Sequence, residues 1–199
     1  MAAVSEANDP FGDVVEGVVC FAHGRHDTGP GYTWSVIVIL MGVAGVGKTT
    51  VGRLLAEGQG WPFFDADDFH SPEGKDKMHR GLGLSDADRE PWLVALRAKV
   101  DELRAAGRSA VFACSALKEA YRRRLQAGPE VRFVYLKASF ELIQRRLEAR
   151  TGHYAGVALL RSQFEALEEP AGVPTVDASL PPEEMLRATR RALREGAEA

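Results

Sequence analysis

The octet Gly42-Val43-Ala44-Gly45-Val46-Gly47-Lys48-Thr49 constrains this chain more than any other feature, because it matches G-x-x-x-x-G-K-[ST] in the context that pattern needs. A β-branched apolar run, Val36 to Leu40, precedes it and a helical segment from Lys48 to Glu57 follows. Glycines let the backbone turn tightly with its N–H groups pointing inward, and the helix adds its positive N-terminal end, so the loop can hold a triphosphate. Gly42, Gly45, Val46, Gly47, Lys48, Thr49 and Thr50 are the candidate phosphate contacts, with Lys48 reaching the β- and γ-phosphates and the Thr49 hydroxyl available to Mg²⁺.

Four more short apolar runs follow, Pro62 to Asp65, Ala110 to Cys114, Arg132 to Leu136, and Thr175 to Val176 with its neighbours. They alternate with segments of helical periodicity, Asp88 to Ala106, Leu117 to Gln126, Phe140 to Arg150, Val157 to Leu167 and Glu183 to Arg194. Strand-helix alternation predicts parallel strands joined by right-handed crossovers, with helices on both faces. The Arg122-Arg123-Arg124 run reads as a solvated helix face.

With 199 residues, 45% hydrophobic and 27% charged, the chain is sized for one α/β domain plus a tail. The composition shift at Gly24 to Gly31 places the domain start near Trp34, so residues 1–33 read as an N-terminal extension and 34–199 as the domain. Met1 to Glu16 carries four acidic residues and no Lys or Arg, unlike a secretory leader, and no apolar run is long enough to span a bilayer. A formal net charge of −3 provides no global attraction to nucleic acid. Two cysteines, Cys20 and Cys114, make no disulfide framework and fit a reducing cytoplasm.

The loop alone does not name the reaction, since motors, GTPases and small-molecule kinases share it. Asn8 is the only asparagine, so the domain lacks the N-K-x-D element of guanine-specific GTPases, and its modest size favours a small-molecule kinase. At the end of the second strand stands Asp65-Ala66-Asp67-Asp68-Phe69-His70, where parallel-sheet enzymes bind ligands. Side-chain alternation along an extended segment would turn Asp65 and Asp67 to one side. Arg146 and Arg150 lie four apart on a predicted helix, followed by a glycine-containing stretch that reads as a lid over about residues 150–160.

Together, several blocks give a more specific reading. Besides the octet and Asp65-Ala66-Asp67 with His70, they are Lys77-Met78 leading to Leu84-Ser85-Asp86-Ala87-Asp88-Arg89-Glu90-Pro91-Trp92-Leu93, Cys114-Ser115-Ala116-Leu117-Lys118 with Tyr121-Arg122, and Gly152-His153-Tyr154 ahead of Leu159 to Glu168. From Val36 to about Val176 the chain resembles the gluconokinase family of small P-loop kinases, related in shape to shikimate and adenylate kinases. The resemblance implies a doubly wound sheet of five parallel strands ordered 2-3-1-4-5, a homodimer, and transfer of phosphate from ATP to D-gluconate. It implies that Asp67 orients the attacking hydroxyl and accepts its proton, and that Asp65 joins Thr49 at Mg²⁺. Arg89 would grip the gluconate carboxylate, while His70, Ser115, Lys118 and His153 would line the acceptor side. Arg146 and Arg150 would meet the nucleotide, with Arg150 catalytic beside Lys48 and Asp67. Ala44 and Val46 stand where the family commonly has Ser, and Gly74 where it often has Asn. A kinase for another small hydroxy acid or a nucleoside monophosphate, and a nucleotide-dependent binding protein without transfer, are the alternatives.

Overall fold

The computed structural model describes residues 35–80, 82–151 and 155–195. Five parallel strands, β1 (Ile37–Met41), β2 (Phe63–Asp65), β3 (Ala110–Ala113), β4 (Val131–Lys137) and β5 (Thr175–Asp177), form one sheet in the order β2-β3-β1-β4-β5, as the sequence predicts. β1 is central, pairing with β3 from Ile37↔Ala110 and with β4 from Ile37↔Val131, and all five of its residues are buried. A strand covered on both faces has no use for alternation, which is why IVILM reads as one apolar run.

Among the described residues seven α-helices accompany the sheet: α1 (Lys48–Gln59), α2 (Pro72–His79), α3 (Asp86–Ala105), α4 (Glu119–Leu125), α5 (Phe140–Thr151), α6 (Ala155–Ala166) and α7 (Pro182–Glu195). One face buries Ile37, Ile39, Phe112 and Phe133 with Leu96, Val100 and Leu103 of α3. The other buries Val38, Leu40 and Val134 with Val51 and Leu55 of α1 and Met185 and Leu193 of α7. Among the described residues no helix is long and apolar enough to cross a membrane.

Two elements differ from the sequence expectation. Asp65 ends β2, and Ala66–Phe69 coils into a 3₁₀ turn that Asp65 caps by accepting from the Asp67 N–H at 3.2 Å. Strand alternation therefore does not relate Asp65 to Asp67; a capped turn does. The short α2 has no counterpart in the sequence expectation; Ser71 is its N-cap, accepting from Gly74 N–H at 3.1 Å, and Pro72 its first residue. Arg122 is a further correction: it is 7% exposed, not solvated.

Candidate active site

The carboxyl ends of β1, β2 and β3 open into a cavity of about 540 Å³. Its first wall is the glycine loop after β1. Gly42 has φ +139°, and a Cβ there would stand 2.6 Å from the Leu136 carbonyl oxygen, so only glycine lets the loop lie against β4. Gly47 caps α1 in the left-handed region and leads directly into Lys48. The Lys48 ammonium donates to the carbonyls of Gly42 at 2.9 Å and Val43 at 2.8 Å, folded along its own loop. Burial pushes its pKa down, opposed chiefly by Asp67.

The second wall follows β2. Asp65 accepts from the Thr49 hydroxyl at 3.2 Å, which places two oxygen donors side by side at the start of α1. Asp67 faces the same cavity, and burial followed by repulsion from Asp65 pushes its pKa up against the attraction of Lys48. Lys48 and Asp67, 19 positions apart in the chain, are thus electrostatic neighbours.

The acceptor wall comes from α3 and the loop after β3. His70 lies flat on Trp92, ring centroids 4.8 Å apart at 5°, and Trp92 is pinned by its indole N–H to the Ala66 carbonyl at 2.7 Å. Burial, then Arg89 and Lys75, hold the His70 pKa down at about 4. Its Nδ1 is buried without a hydrogen-bond partner among the described residues, beside Gly74, where a Cβ would sit 3.7 Å away. Asp86, at the first turn of α3, gathers Lys118 through two contacts of 2.8 Å, the Tyr121 hydroxyl, and Arg89 at 3.8 Å. Arg89 also donates to the Tyr121 oxygen at 3.4 Å. Two cations and a phenol therefore stand around one exposed carboxylate, a setting suited to a second, incoming carboxylate.

The third strand's loop is held under strain. Ala116 has φ +43°, and the buried Arg122 guanidinium donates to the carbonyls of Ala116 at 3.0 Å and Leu117 at 2.8 Å. Ser115 lines the cavity and its carbonyl accepts from Gly42 N–H at 3.2 Å, joining the two loops.

The cavity thus brings together Gly45, Lys48, Thr49, Asp65, Asp67, His70, Arg89, Ser115 and Lys118. Val46 is buried beneath the loop and Thr50 is exposed, and neither lines the cavity. Arg146 stands elsewhere, donating to the carbonyls of Ala178 at 2.7 Å and Ser179 at 3.5 Å after β5. The Arg150 side chain and the whole of His153 lie outside the described residues. Asp86 and Tyr121 are functional-site residues that the sequence motifs contain without marking. Their pairing across 35 positions has no local signal.

Oxygen donors at Thr49 and Asp65, with no cluster of three or more His, Cys, Asp or Glu among the described residues, fit a cation that keeps its waters and phosphate ligands rather than a dedicated protein cage.

Comparison with known proteins agrees with this geometry. The family model described as Shikimate kinase matches residues 44–168. The probable gluconokinase of Mus musculus is 43% identical over 168 residues, 73% of this chain and 91% of that protein. The thermoresistant gluconokinase of Escherichia coli is 38% identical over 165 residues, covering 80% and 94%. Among solved structures, a gluconokinase from Sinorhizobium meliloti superposes with TM-score 0.74 at 38% identity, over 84% of this chain and 95% of that one. A shikimate kinase from Aquifex aeolicus, 18% identical with TM-score 0.54, shares the fold over 82% of this chain and 99% of its own.

Proposed function

The chain belongs to the gluconokinase family of P-loop kinases, and on that premise we propose that it transfers the γ-phosphoryl group of ATP to D-gluconate, giving ADP and 6-phospho-D-gluconate. The observation that carries the reading is one cavity lined by the phosphate loop with Lys48 and Thr49, by Asp67, and by the two cations Arg89 and Lys118 that share Asp86. A sugar acid has the matching set of groups, a carboxylate remote from the hydroxyl that is phosphorylated.

Loop N–H groups and the start of α1 bind the triphosphate, and the Lys48 ammonium moves from the loop carbonyls to the β- and γ-phosphates. Thr49 and Asp65 would hold Mg²⁺, which neutralises phosphate charge when bound. Arg89 and Lys118 take the gluconate carboxylate, and His70, a neutral imidazole, hydrogen-bonds a chain hydroxyl. Asp67 orients the attacking hydroxyl. As the new O–P bond forms, the bond from Pγ to the β-bridging oxygen breaks, the electron pair leaves with ADP, and the hydroxyl proton passes to Asp67. Burial that raises the Asp67 pKa suits it to that proton. Arg150, whose backbone lies in the last turn of α5, is the candidate to bring positive charge to the transferring group. Arg146 would have to leave the Ala178 and Ser179 carbonyls to meet the nucleotide. On the same reading the domain begins near Trp34, and the enzyme works in the cytoplasm as a homodimer.

ADP release measured against a panel of sugar acids tests the assignment. Gluconate is expected to accelerate ATP turnover strongly, and a flat response to it would sink the reading. Asp67→Asn is expected to lower kcat at least about 100-fold, within the usual range for general acid–base groups, while ATP still binds.

A further inference from the structure

The segment Leu159 to Glu168 takes no part in the transfer step, yet it touches both halves of the site. Gln163, on α6, places its side-chain oxygen 2.6 Å from the Ala44 N–H of the phosphate loop, across 119 positions of chain. Five residues on, the Glu168 carboxylate accepts from Glu119 N–H at 2.6 Å, and its own N–H donates to the Leu117 carbonyl at 3.0 Å. One end of this segment is thereby fastened to the acceptor loop and its middle to the phosphate loop. Ser162 and Gln163 line the cavity that holds Lys48 and Asp67. Leu160 is fully buried, and Phe164 packs edge-on against Phe140 of α5 at 5.4 Å, so the helix is set as a rigid strut.

We propose that Gln163 is a positioning residue for phosphoryl transfer: by taking the Ala44 N–H it docks α6 onto the phosphate loop and so holds that loop in the shape that presents Lys48 to the transferring group. The Ala44 N–H then serves the protein rather than the nucleotide, leaving phosphate binding to the N–H groups nearer Lys48. The proposal rests on the kinase reading given above. A glutamine is the chemically apt side chain here. Its carbonyl accepts from the loop as a carboxylate would, but it brings no negative charge beside a triphosphate, where a carboxylate would be repelled. Docking excludes water from the transferring group, so its loss exposes ATP to hydrolysis as well as slowing transfer.

The test compares Gln163→Leu, which removes the acceptor, with Gln163→Glu, which keeps an acceptor and adds charge, both in the full chain. Readouts are kcat and KM with gluconate and ATP, ATP hydrolysis without acceptor, and the thermal midpoint. For Gln163→Leu, kcat is expected to fall about tenfold, in keeping with loss of one partly buried hydrogen bond. The ratio of acceptor-free hydrolysis to transfer should rise several-fold, with the gluconate KM unchanged. Gln163→Glu should keep the wild-type ratio while the KM for ATP rises. If Gln163→Leu folds poorly, Gln163→Met reads the same ratio. A wild-type kcat and ratio in these variants would overturn the proposal, as would parallel falls in transfer and hydrolysis that simply follow a lowered midpoint. Should no sugar acid be phosphorylated by the wild-type chain, the kinase reading fails separately, and acceptor-free hydrolysis still judges Gln163.

Discussion

His70 shows how a single residue is fixed by what surrounds it. Its ring is clamped on Trp92, Arg89 and Lys75 both disfavour a further positive charge, and Nδ1 has no hydrogen-bond partner among the described residues. A buried N–H left unpaired is costly, which argues that Nδ1 is the bare nitrogen and Nε2 carries the proton. The imidazole is then a neutral donor at any pH near 7, unsuited to act as a base that switches. Its folded pKa of about 4 lies below the ordinary 6.5, so the unfolded chain binds the extra proton first. Stability from this residue is complete above about pH 6.5 and is lost as pH falls toward 4, by on the order of 3 kcal/mol. Urea unfolding of wild type and His70→Gln at pH 7 and pH 4.5 should show the wild type losing more. An equal loss in both would assign the acid sensitivity to other groups.

At the scale of elements, the strands were legible because a buried parallel strand is a bare apolar run, whereas their order was legible only through the family resemblance. α2 was not, because its sequence PEGKDKMH has no apolar stripe; only Ser71 and Pro72 announce it. Lys77 explains its place, bridging to Asp88 at 2.6 Å and so tying α2 to the capping box that opens α3. Arg122 was illegible for a different reason. The carbonyls it serves are aimed at it only because Ala116 adopts φ +43°, a conformation no local pattern announces. The strained loop and the buried guanidinium form one device. Arg122→Ala leaves two carbonyls without their donor and is expected to cost about 2–4 kcal/mol. Ala116→Gly relieves the left-handed backbone and should stabilise by about 1 kcal/mol. Chemical denaturation of both single variants and the double variant checks this; an Arg122→Ala protein as stable as wild type would dismiss the device.

Across the whole molecule, the site works only if helices late in the chain close on a loop formed early in it. Gln163 makes one such contact and Gly45 marks the other. A Cβ on Gly45 would come within 3.1 Å of Ile143 Cγ2 and Leu147 Cδ2, so α5 lies directly on the phosphate loop, and φ +77° adds strain for any other residue. Since α5 lies on the phosphate loop and not on α3 or α4, displacing it should disturb the nucleotide side and spare the acceptor wall. Gly45→Ala is therefore expected to raise the KM for ATP and lower kcat about tenfold or more, with the gluconate KM unchanged within about twofold. The steric part of that loss resides in Leu147 and is separable from the backbone part. Gly45→Ala combined with Leu147→Ala should regain some of the lost kcat, although Leu147→Ala alone slows the enzyme, because the two substitutions act on one contact and do not add. Simple additivity in steady-state kinetics of the four proteins would mean that α5 and the loop are not coupled through this contact.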